Sequence, residues 1–277
     1  MSGVLYVVST PIGNLDDITL RALRVLREVD IVAAEDTRHS RKLLSHHGIS
    51  AELISYWGER EKSGAERVLS LLREGKRIAL ISDAGTPGMS DPGQVLIKRA
   101  IESAVDIVPV PGPSALIAAL TVSGLPTGEF LFLGFVPVKK NERRKFLEAA
   151  ALERRTAVFY EAPHRIIETL REMEGIMPER SVAVCHELTK FHESVFRGAV
   201  SAVLASLLES VVAGEYVIVL EGMRKEITSY EEALSEVRGL MREGLGRKEA
   251  VRIVAKNYGM SRKELYERSL GKRGSSP

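Results

Sequence analysis

Short apolar runs rich in Val and Ile alternate along the first part of the chain with segments whose apolar positions recur at helical spacing. The runs are Val4–Ser9, Ile31–Ala34, Arg77–Ser82 and Ile107–Val110. The amphipathic segments are Thr19–Val29, Thr37–His47, Ala65–Glu74 and Pro92–Ser103. Unbroken short runs mark strands and helical spacing marks helices. The order β-α-β-α predicts a mostly parallel sheet covered by helices, and burial on both faces explains why the strands carry so few polar residues.

The turn-rich stretch Ser123-Gly124-Leu125-Pro126-Thr127-Gly128 interrupts this alternation and predicts a domain junction. Beyond it, Phe130–Gly134, Thr156–Tyr160, Ser181–Cys185, Glu193–Gly198 and Tyr216–Leu220 read as strands. Arg143–Ala151, Arg165–Glu174 and Val200–Glu209 read as helices. The adjacent strand pair between residues 181 and 198 predicts a mixed sheet. Tyr230–Glu243, Arg247–Asn257 and Arg262–Leu270 predict three closing helices, stopped and restarted at Gly244–Gly246 and Gly259–Ser261. Short helices joined by a Gly-containing turn are similar to a helix-turn-helix, though a plain helical bundle has the same signature.

Charge is unevenly spread. The chain has 39 Lys and Arg against 37 Asp and Glu, yet Arg238–Pro277 holds 11 Lys and Arg against 4 Glu, a net of +7 that leaves −5 on the rest. A basic end on an acidic body suits contact with a polyanion, and a solvated helical appendage has the same composition. Apolar residues at 44% and charged residues at 27% exclude a disordered or collagen-like chain. No apolar run approaches the ~20 residues of a membrane-spanning helix. Met1–Tyr6 reads as the entry to a strand rather than a leader. The single cysteine, Cys185, excludes an internal disulfide. The expectation is a soluble protein of a reducing cytoplasm.

Ligands of open α/β sheets bind beyond the C-terminal ends of strands. Those loops are Ser9-Thr10-Pro11-Ile12-Gly13-Asn14, Glu35-Asp36-Thr37-Arg38, Ser82 to Gly93, and Pro111-Gly112-Pro113-Ser114-Ala115. Three of the four are dense in Gly and Pro with hydroxyls, so backbone groups can approach a ligand closely while Pro fixes the loop shape. Turns favour the same residues, but three such loops at one sheet edge favour a pocket. No Gly-x-Gly-x-x-Gly follows the first strand and no Gly-x-x-x-x-Gly-Lys-Ser/Thr occurs, which argues against a dinucleotide fold or a P-loop. His39, His46, His47, His164, His186 and His192 have no ligand-like spacing, so no metal is expected.

These loops carry a resemblance. Ser9-Thr10-Pro11-Ile12-Gly13-Asn14-Leu15, Ala34-Glu35-Asp36-Thr37-Arg38, Ser82-Asp83-Ala84-Gly85-Thr86-Pro87-Gly88 and Val110-Pro111-Gly112-Pro113-Ser114-Ala115 resemble the tetrapyrrole (corrin/porphyrin) methylase superfamily. So do Phe159-Tyr160-Glu161-Ala162-Pro163-His164-Arg165, His186-Glu187-Leu188-Thr189-Lys190 and Gly214-Glu215-Tyr216-Val217. Within it the chain is similar, over residues 4–222, to the small-subunit ribosomal RNA branch that methylates a cytidine ribose 2′-hydroxyl in 16S rRNA. The closing helices also resemble that branch's C-terminal extension. The resemblance implies two consecutive αβα domains, residues 1–122 and 123–225, with S-adenosylmethionine in the cleft between them, and a basic helical extension over 226–277. It further implies a homodimer, no metal, and cofactor contacts at Gly13, Asp83, Gly85, Thr86, Ser114, Ala115 and Tyr160. On this reading Asp83 accepts from the amino end or a ribose hydroxyl, Gly85 and Thr86 offer backbone groups, and Ser114-Ala115 meet the adenosine at a helix N-terminus.

Methyl transfer to a ribose hydroxyl needs alignment and help with a poorly acidic proton. Candidates are Glu187 with Lys190 and Glu193, Asp36 with Arg38, and Glu161 with His164, each a carboxylate beside a cation. Glu187 and Lys190 are favoured, then Asp36, although surface ion pairs share the pattern. For RNA phosphates, Lys139, Lys140, Arg143, Arg144 and Lys145 gather at a helix start, where the helix dipole prefers carboxylates. Arg247, Lys248, Arg252, Lys256, Arg262 and Lys263 offer a second footprint, and Tyr56 and Trp57 end a strand, where an aromatic pair suits either stacking on a base or the core. Two other readings stay open, a methylase of a small tetrapyrrole and a non-catalytic RNA-binding assembly factor.

Overall fold

A computed structural model describes residues 3–56, 61–209, 213–223 and 229–271, and the chain divides into two compact units, Met1–Met223 and Arg224–Pro277. In the first unit, β1 (Val4–Val8), β2 (Ile31–Ala34), β3 (Glu52–Ser55), β4 (Arg77–Ile81) and β5 (Asp106–Val110) form a wholly parallel sheet in the order β3-β2-β4-β1-β5. Strand alternation sends Ile31, Ala33, Ile78 and Leu80 to one face and Val32, Ala34, Ala79 and Ile81 to the other. The first face packs on α3 (Glu61–Arg73) and α4 (Gln94–Glu102), the second on α1 (Leu20–Glu28) and α2 (Thr37–His46). Pro109 sits in β5, an edge strand, where a missing N–H costs no ladder bond. Tyr56 belongs to the core: it is buried, and its hydroxyl accepts from the Leu96 amide at 3.2 Å. It is therefore not placed to stack on a base. Trp57 lies outside the described residues.

After β5 the chain crosses to a second sheet through α5 (Ala115–Ser123), whose Leu116, Ala119 and Leu120 pack with Val158, Ala183, Cys185 and Val217. The far end of α5 is closed twice. Gly124 takes the left-handed conformation at φ +75°, and the Arg197 guanidinium donates to the Val122 carbonyl at 2.9 and 2.6 Å.

The second sheet contains β6 (Phe130–Phe135), β7 (Thr156–Glu161), β8 (Ser181–His186), β9 (Ser194–Ala199) and β10 (Tyr216–Leu220), ordered β6-β7-β10-β8-β9. Only β6 and β7 run parallel; β10 is antiparallel to both neighbours, and β8–β9 is a hairpin. The sheet is mixed, as the strand spacing predicts. Its other face packs on α6 (Lys140–Leu152), α7 (Ile166–Ile176) and α8 (Val200–Leu208).

The basic start of α6 is not the uniform phosphate footprint its composition suggests. Arg143 is 2% exposed and donates to Glu172 at 2.7 Å and Glu168 at 2.5 Å, so it ties α6 to α7. Lys139 pairs with Glu142 and Arg144 with Glu148. Lys140 and Lys145 remain exposed without ion pairs among the described residues.

In the second unit, α9 (Tyr230–Arg242), α10 (Arg247–Asn257) and α11 (Arg262–Ser269) enclose Ala233, Val237, Val251, Val254 and Leu265. Ser229 and Ser261 cap α9 and α11. Among the described residues, no helix is long and apolar enough to cross a membrane.

Candidate active site

The loops beyond the first sheet hold one another. The Thr10 amide donates to the Gly85 carbonyl at 2.8 Å and the Gly85 amide returns to Thr10 at 3.1 Å. Gly85 has φ +74°, a conformation other residues rarely take. The Ser9 and Thr86 hydroxyls lie 2.9 Å apart, and the Thr10 hydroxyl donates to the Ser82 carbonyl. Asp83 joins two loops: its Oδ1 accepts from the Asp36 amide at 3.0 Å, and its amide donates to Glu35 at 3.3 Å.

These loops face the ends of β7 and β10 across a cavity of about 300 Å³. Its walls are Ile12, Gly85, Thr86 and Asp91 on the first sheet's side, Ser114 and Ala115 at the start of α5, and Tyr160–Pro163 with Glu215–Val217 on the second sheet's side. Ser114 makes no capping bond, so the N-terminus of α5 meets the cavity without a side-chain acceptor. Tyr160 is braced edge-on by Phe132 and Phe135, and burial raises its hydroxyl pKa.

The first-sheet side of the cavity carries half-buried carboxylates. Burial first, then the Glu35 and Asp83 carboxylates, push Asp91 up to about 6, against a hydrogen bond from Ser82. Glu35 is likewise raised, mainly by burial, with Asp83 and Asp36 adding to it. Such a cluster is complementary to a cation, and perturbed carboxylates gather where ligands bind. Glu161, also on the wall, is 2% exposed but committed elsewhere. It accepts from Arg165 at 2.7 Å, from the Thr169 hydroxyl and from the Ala162 amide, which locks the turn after β7. Its cationic partner is Arg165 and not the exposed His164.

A second group borders this wall. The Lys190 ammonium donates to Glu187 at 2.8 Å and to Glu215 at 3.0 Å, and the Glu215 amide donates to Glu187 at 2.9 Å. Burial acts to raise the Glu187 carboxyl, but the Lys190 and Glu215 hydrogen bonds outweigh it and the net shift is downward. For Lys190, burial acts to lower the ammonium and the two carboxylates outweigh it, so its net shift is upward. Two glycines make room. A Cβ on Gly13 would overlap the Lys190 chain and come within 3.0 Å of the Thr189 hydroxyl, and a Cβ on Gly214 would overlap the Glu187 carboxyl. Glu187 and Thr189 themselves stand at φ +50° and +66°, each costing on the order of 1–3 kcal/mol.

Gly85, Thr86, Ser114, Ala115 and Tyr160 thus line the cavity, while Gly13 packs on Lys190 and Asp83 ties two loops. The Gly85 amide is already engaged by Thr10, so it is a brace for the loop and not an open donor. Asp36 does not line the cavity; it caps α2 by accepting from the Arg38 amide at 2.8 Å, and that bond foremost lowers its pKa. Asp91, Glu35 and Glu215 are the carboxylates in or beside the site that sequence reasoning did not single out, although the first two fall in loops read beyond strand ends and Glu215 in a string that carries the resemblance.

Residues 4–205 match the family model of the Tetrapyrrole (Corrin/Porphyrin) Methylases, and the chain belongs to this family. It is 44% identical over 272 residues to "Ribosomal RNA small subunit methyltransferase I" of Synechocystis sp., covering 97% of this chain and 98% of that protein. The protein of the same name from Escherichia coli O157:H7 is 41% identical over 275 residues, covering 98% and 96%. Among solved structures, uroporphyrin-III C-methyl transferase from Thermus thermophilus, complexed with S-adenyl homocysteine, shares the fold. It is 20% identical, with a TM-score of 0.54, and the match covers 79% of this chain and 97% of that one.

Proposed function

We propose that the protein is an S-adenosylmethionine-dependent methyltransferase of small-subunit ribosomal RNA, acting on the ribose 2′-hydroxyl of a cytidine in 16S rRNA. The observation that carries the small-subunit ribosomal RNA reading is identity above 40% along nearly the whole length, basic extension included, to relatives named for small-subunit ribosomal RNA methylation; the cytidine 2′-hydroxyl rests on the resemblance of the loops. The reading places the enzyme in the cytoplasm as a homodimer, with two α/β domains over residues 1–122 and 123–225.

The cavity fits the cofactor on its chemistry. S-adenosylmethionine supplies a methyl carbon already activated by a positive sulfonium. Half-buried Asp91, with Glu35 and Asp83 behind it, is a desolvated negative centre that a sulfonium or ammonium would relieve. Gly85, Thr86, Ser114, Ala115 and Tyr160 would hold the nucleoside, with Gly13 and Asp83 shaping the loops behind them. Its volume is at the lower end of the ~300–1,000 Å³ usual for small-molecule sites.

Lys190 stays protonated and is held by Glu187 and Glu215, so it offers a fixed cation at the cavity edge. The ammonium N–H left over from these two pairs can donate to the ribose oxygen, orienting it towards the methyl and stabilising charge that develops on it, while the hydroxyl proton passes to water. Glu187 is the positioning partner; its lowered pKa makes it a poor base but a reliable anchor. Asp36 acts at one remove, by setting the loop that holds Asp83. Phosphates would be met by Lys140 and Lys145 on α6 and, in the second unit, by Lys248, Arg262 and Lys263, which border a groove with Tyr266.

The test is transfer of labelled methyl from S-adenosylmethionine to 30S subunits, naked 16S rRNA and a tetrapyrrole in parallel. Label recovered as a 2′-O-methylcytidine is the expected result. Label on the pyrrole alone, or on a base, overturns the reading.

A further inference from the structure

The loop between β8 and β9 sends two apolar side chains in opposite directions. Leu188 is buried in the core beneath α5, whereas Phe191 is 96% exposed. A lone exposed apolar residue ordinarily asks for no explanation. What singles out Phe191 is how firmly its loop is held.

The Lys190 amide donates to the Glu187 carbonyl at 3.0 Å, and the Glu193 amide to the Lys190 carbonyl at 3.1 Å. The Thr189 amide donates to the Glu193 carboxylate at 2.6 Å, and the Asn14 amide to the Thr189 hydroxyl at 3.2 Å. Two residues of the same loop, Glu187 and Thr189, hold left-handed conformations that side chains disfavour. The loop therefore fixes where Phe191 stands, with His192 edge-on beside it at 5.0 Å. The adjacent residue, Lys190, bonds Glu215 of the cavity wall. A water-facing aromatic on a firmly held backbone thus stands next in the chain to the cation assigned to the ribose hydroxyl.

We propose that Phe191 is the platform on which a base of the RNA substrate stacks while the neighbouring ribose enters the cavity. The inference rests on the RNA-methyltransferase reading above. A ribose in structured RNA reaches a recessed site only if its base leaves the RNA stack, and an exposed aromatic face replaces that stacking. Phe191 and His192 present two rings beside the cavity, and a base is the part of an RNA substrate whose flat apolar face can cover them, which makes a nucleotide the occupant.

The experiment uses the full-length chain with Phe191→Ala and Phe191→Trp. Steady-state methylation of 30S subunits is measured with S-adenosylhomocysteine affinity by calorimetry and mass by light scattering. Phe191→Ala is expected to raise KM for the RNA substrate about tenfold, the equivalent of ~1.4 kcal/mol. The same variant leaves S-adenosylhomocysteine affinity and mass unchanged, and Phe191→Trp restores KM. Wild-type kinetics in Phe191→Ala overturn the proposal, and so does a lower mass, which would make Phe191 a contact between copies of the chain. If the wild-type protein labels no RNA in the same tubes, the RNA reading itself falls and this inference with it.

Discussion

Asp91 offers a test in which stability and ligand binding move in opposite directions. Its carboxyl is raised from 3.8 to about 6, first by burial and then by the Glu35 and Asp83 carboxylates. A rise of about two units corresponds to at most ~3 kcal/mol of disfavoured ionisation. Half the group is in contact with solvent, so screening reduces the figure to ~1 kcal/mol. The sign follows from proton counts. Between pH ~4 and ~6 the folded chain holds a proton that the unfolded chain has released, so the native state loses stability as pH rises through that window and recovers none above it. Asp91→Asn removes the penalty. Its melting temperature should match wild type near pH 4 and exceed it by ~2–4 °C at pH 8, the shift expected of ~1 kcal/mol in a unit of this size. Added S-adenosylmethionine should stabilise wild type at pH 8 and stabilise the variant much less, because the negative centre opposite the cofactor's cation is gone. Thermal scans by circular dichroism at the two pH values, with and without cofactor, read both effects. A variant that melts at or below wild type at pH 8 with an unchanged spectrum would refute the desolvated-charge argument, and an undiminished cofactor shift would refute the ligand role.

The remaining predictions concern other parts of the molecule. Lys190→Met should lower the rate of methyl transfer ~10²-fold or more while cofactor binding persists, as judged by single-turnover assays beside calorimetry. Gly13→Ala should reproduce much of that loss, because its Cβ would displace the Lys190 chain; full activity in this variant would mean that Lys190 can move without consequence. Arg143→Ala should cost ~3 kcal/mol in urea unfolding by stranding Glu172, whereas Lys140→Ala should change stability by less than ~0.5 kcal/mol. In RNA-binding titrations at several salt concentrations, Arg262→Ala and Lys263→Ala should each reduce the slope of log affinity against log salt by about one, with cofactor affinity intact.

Much of the fold was legible because its strands and helices obey their periods so strictly. β2 and β10, buried along their whole length, read as unbroken apolar runs, and the β8–β9 pair was visible as two strands with no helix between. The errors fall where one residue type outranks the period. α4 starts at Gln94 and not at Pro92, because Gly93 turns the chain at φ +137° immediately before it. β3, an edge strand with only Ile54 fully buried, has so little apolar signal that it enters the reading only as the strand Tyr56 and Trp57 end, without a start. Charge was the least legible feature. Asp36 beside Arg38 and Glu187 beside Lys190 look alike as close pairs of opposite charges, and Arg143 looks like any other cation at the start of α6.

Depth and hydrogen-bond partners separate them, and both depend on residues far away in the chain. Asp36 spends its carboxylate on the Arg38 amide at the surface. Arg143 is sealed against α7. Glu187 and Lys190 are held in place by Glu215, with Gly13 and Gly214 leaving the space they need. The same reasoning assigns the proton chemistry. Glu187, stabilised as an anion, and Lys190, stabilised as a cation, both keep their charge near neutral pH, so they can orient and polarise but exchange no proton there. Asp91, raised to about 6 by burial among like charges, is the cavity carboxyl that changes its charge near neutral pH. A fall in activity as pH drops through ~6 therefore belongs to Asp91, and Asp91→Asn should abolish that inflection while Glu187→Gln should leave it in place.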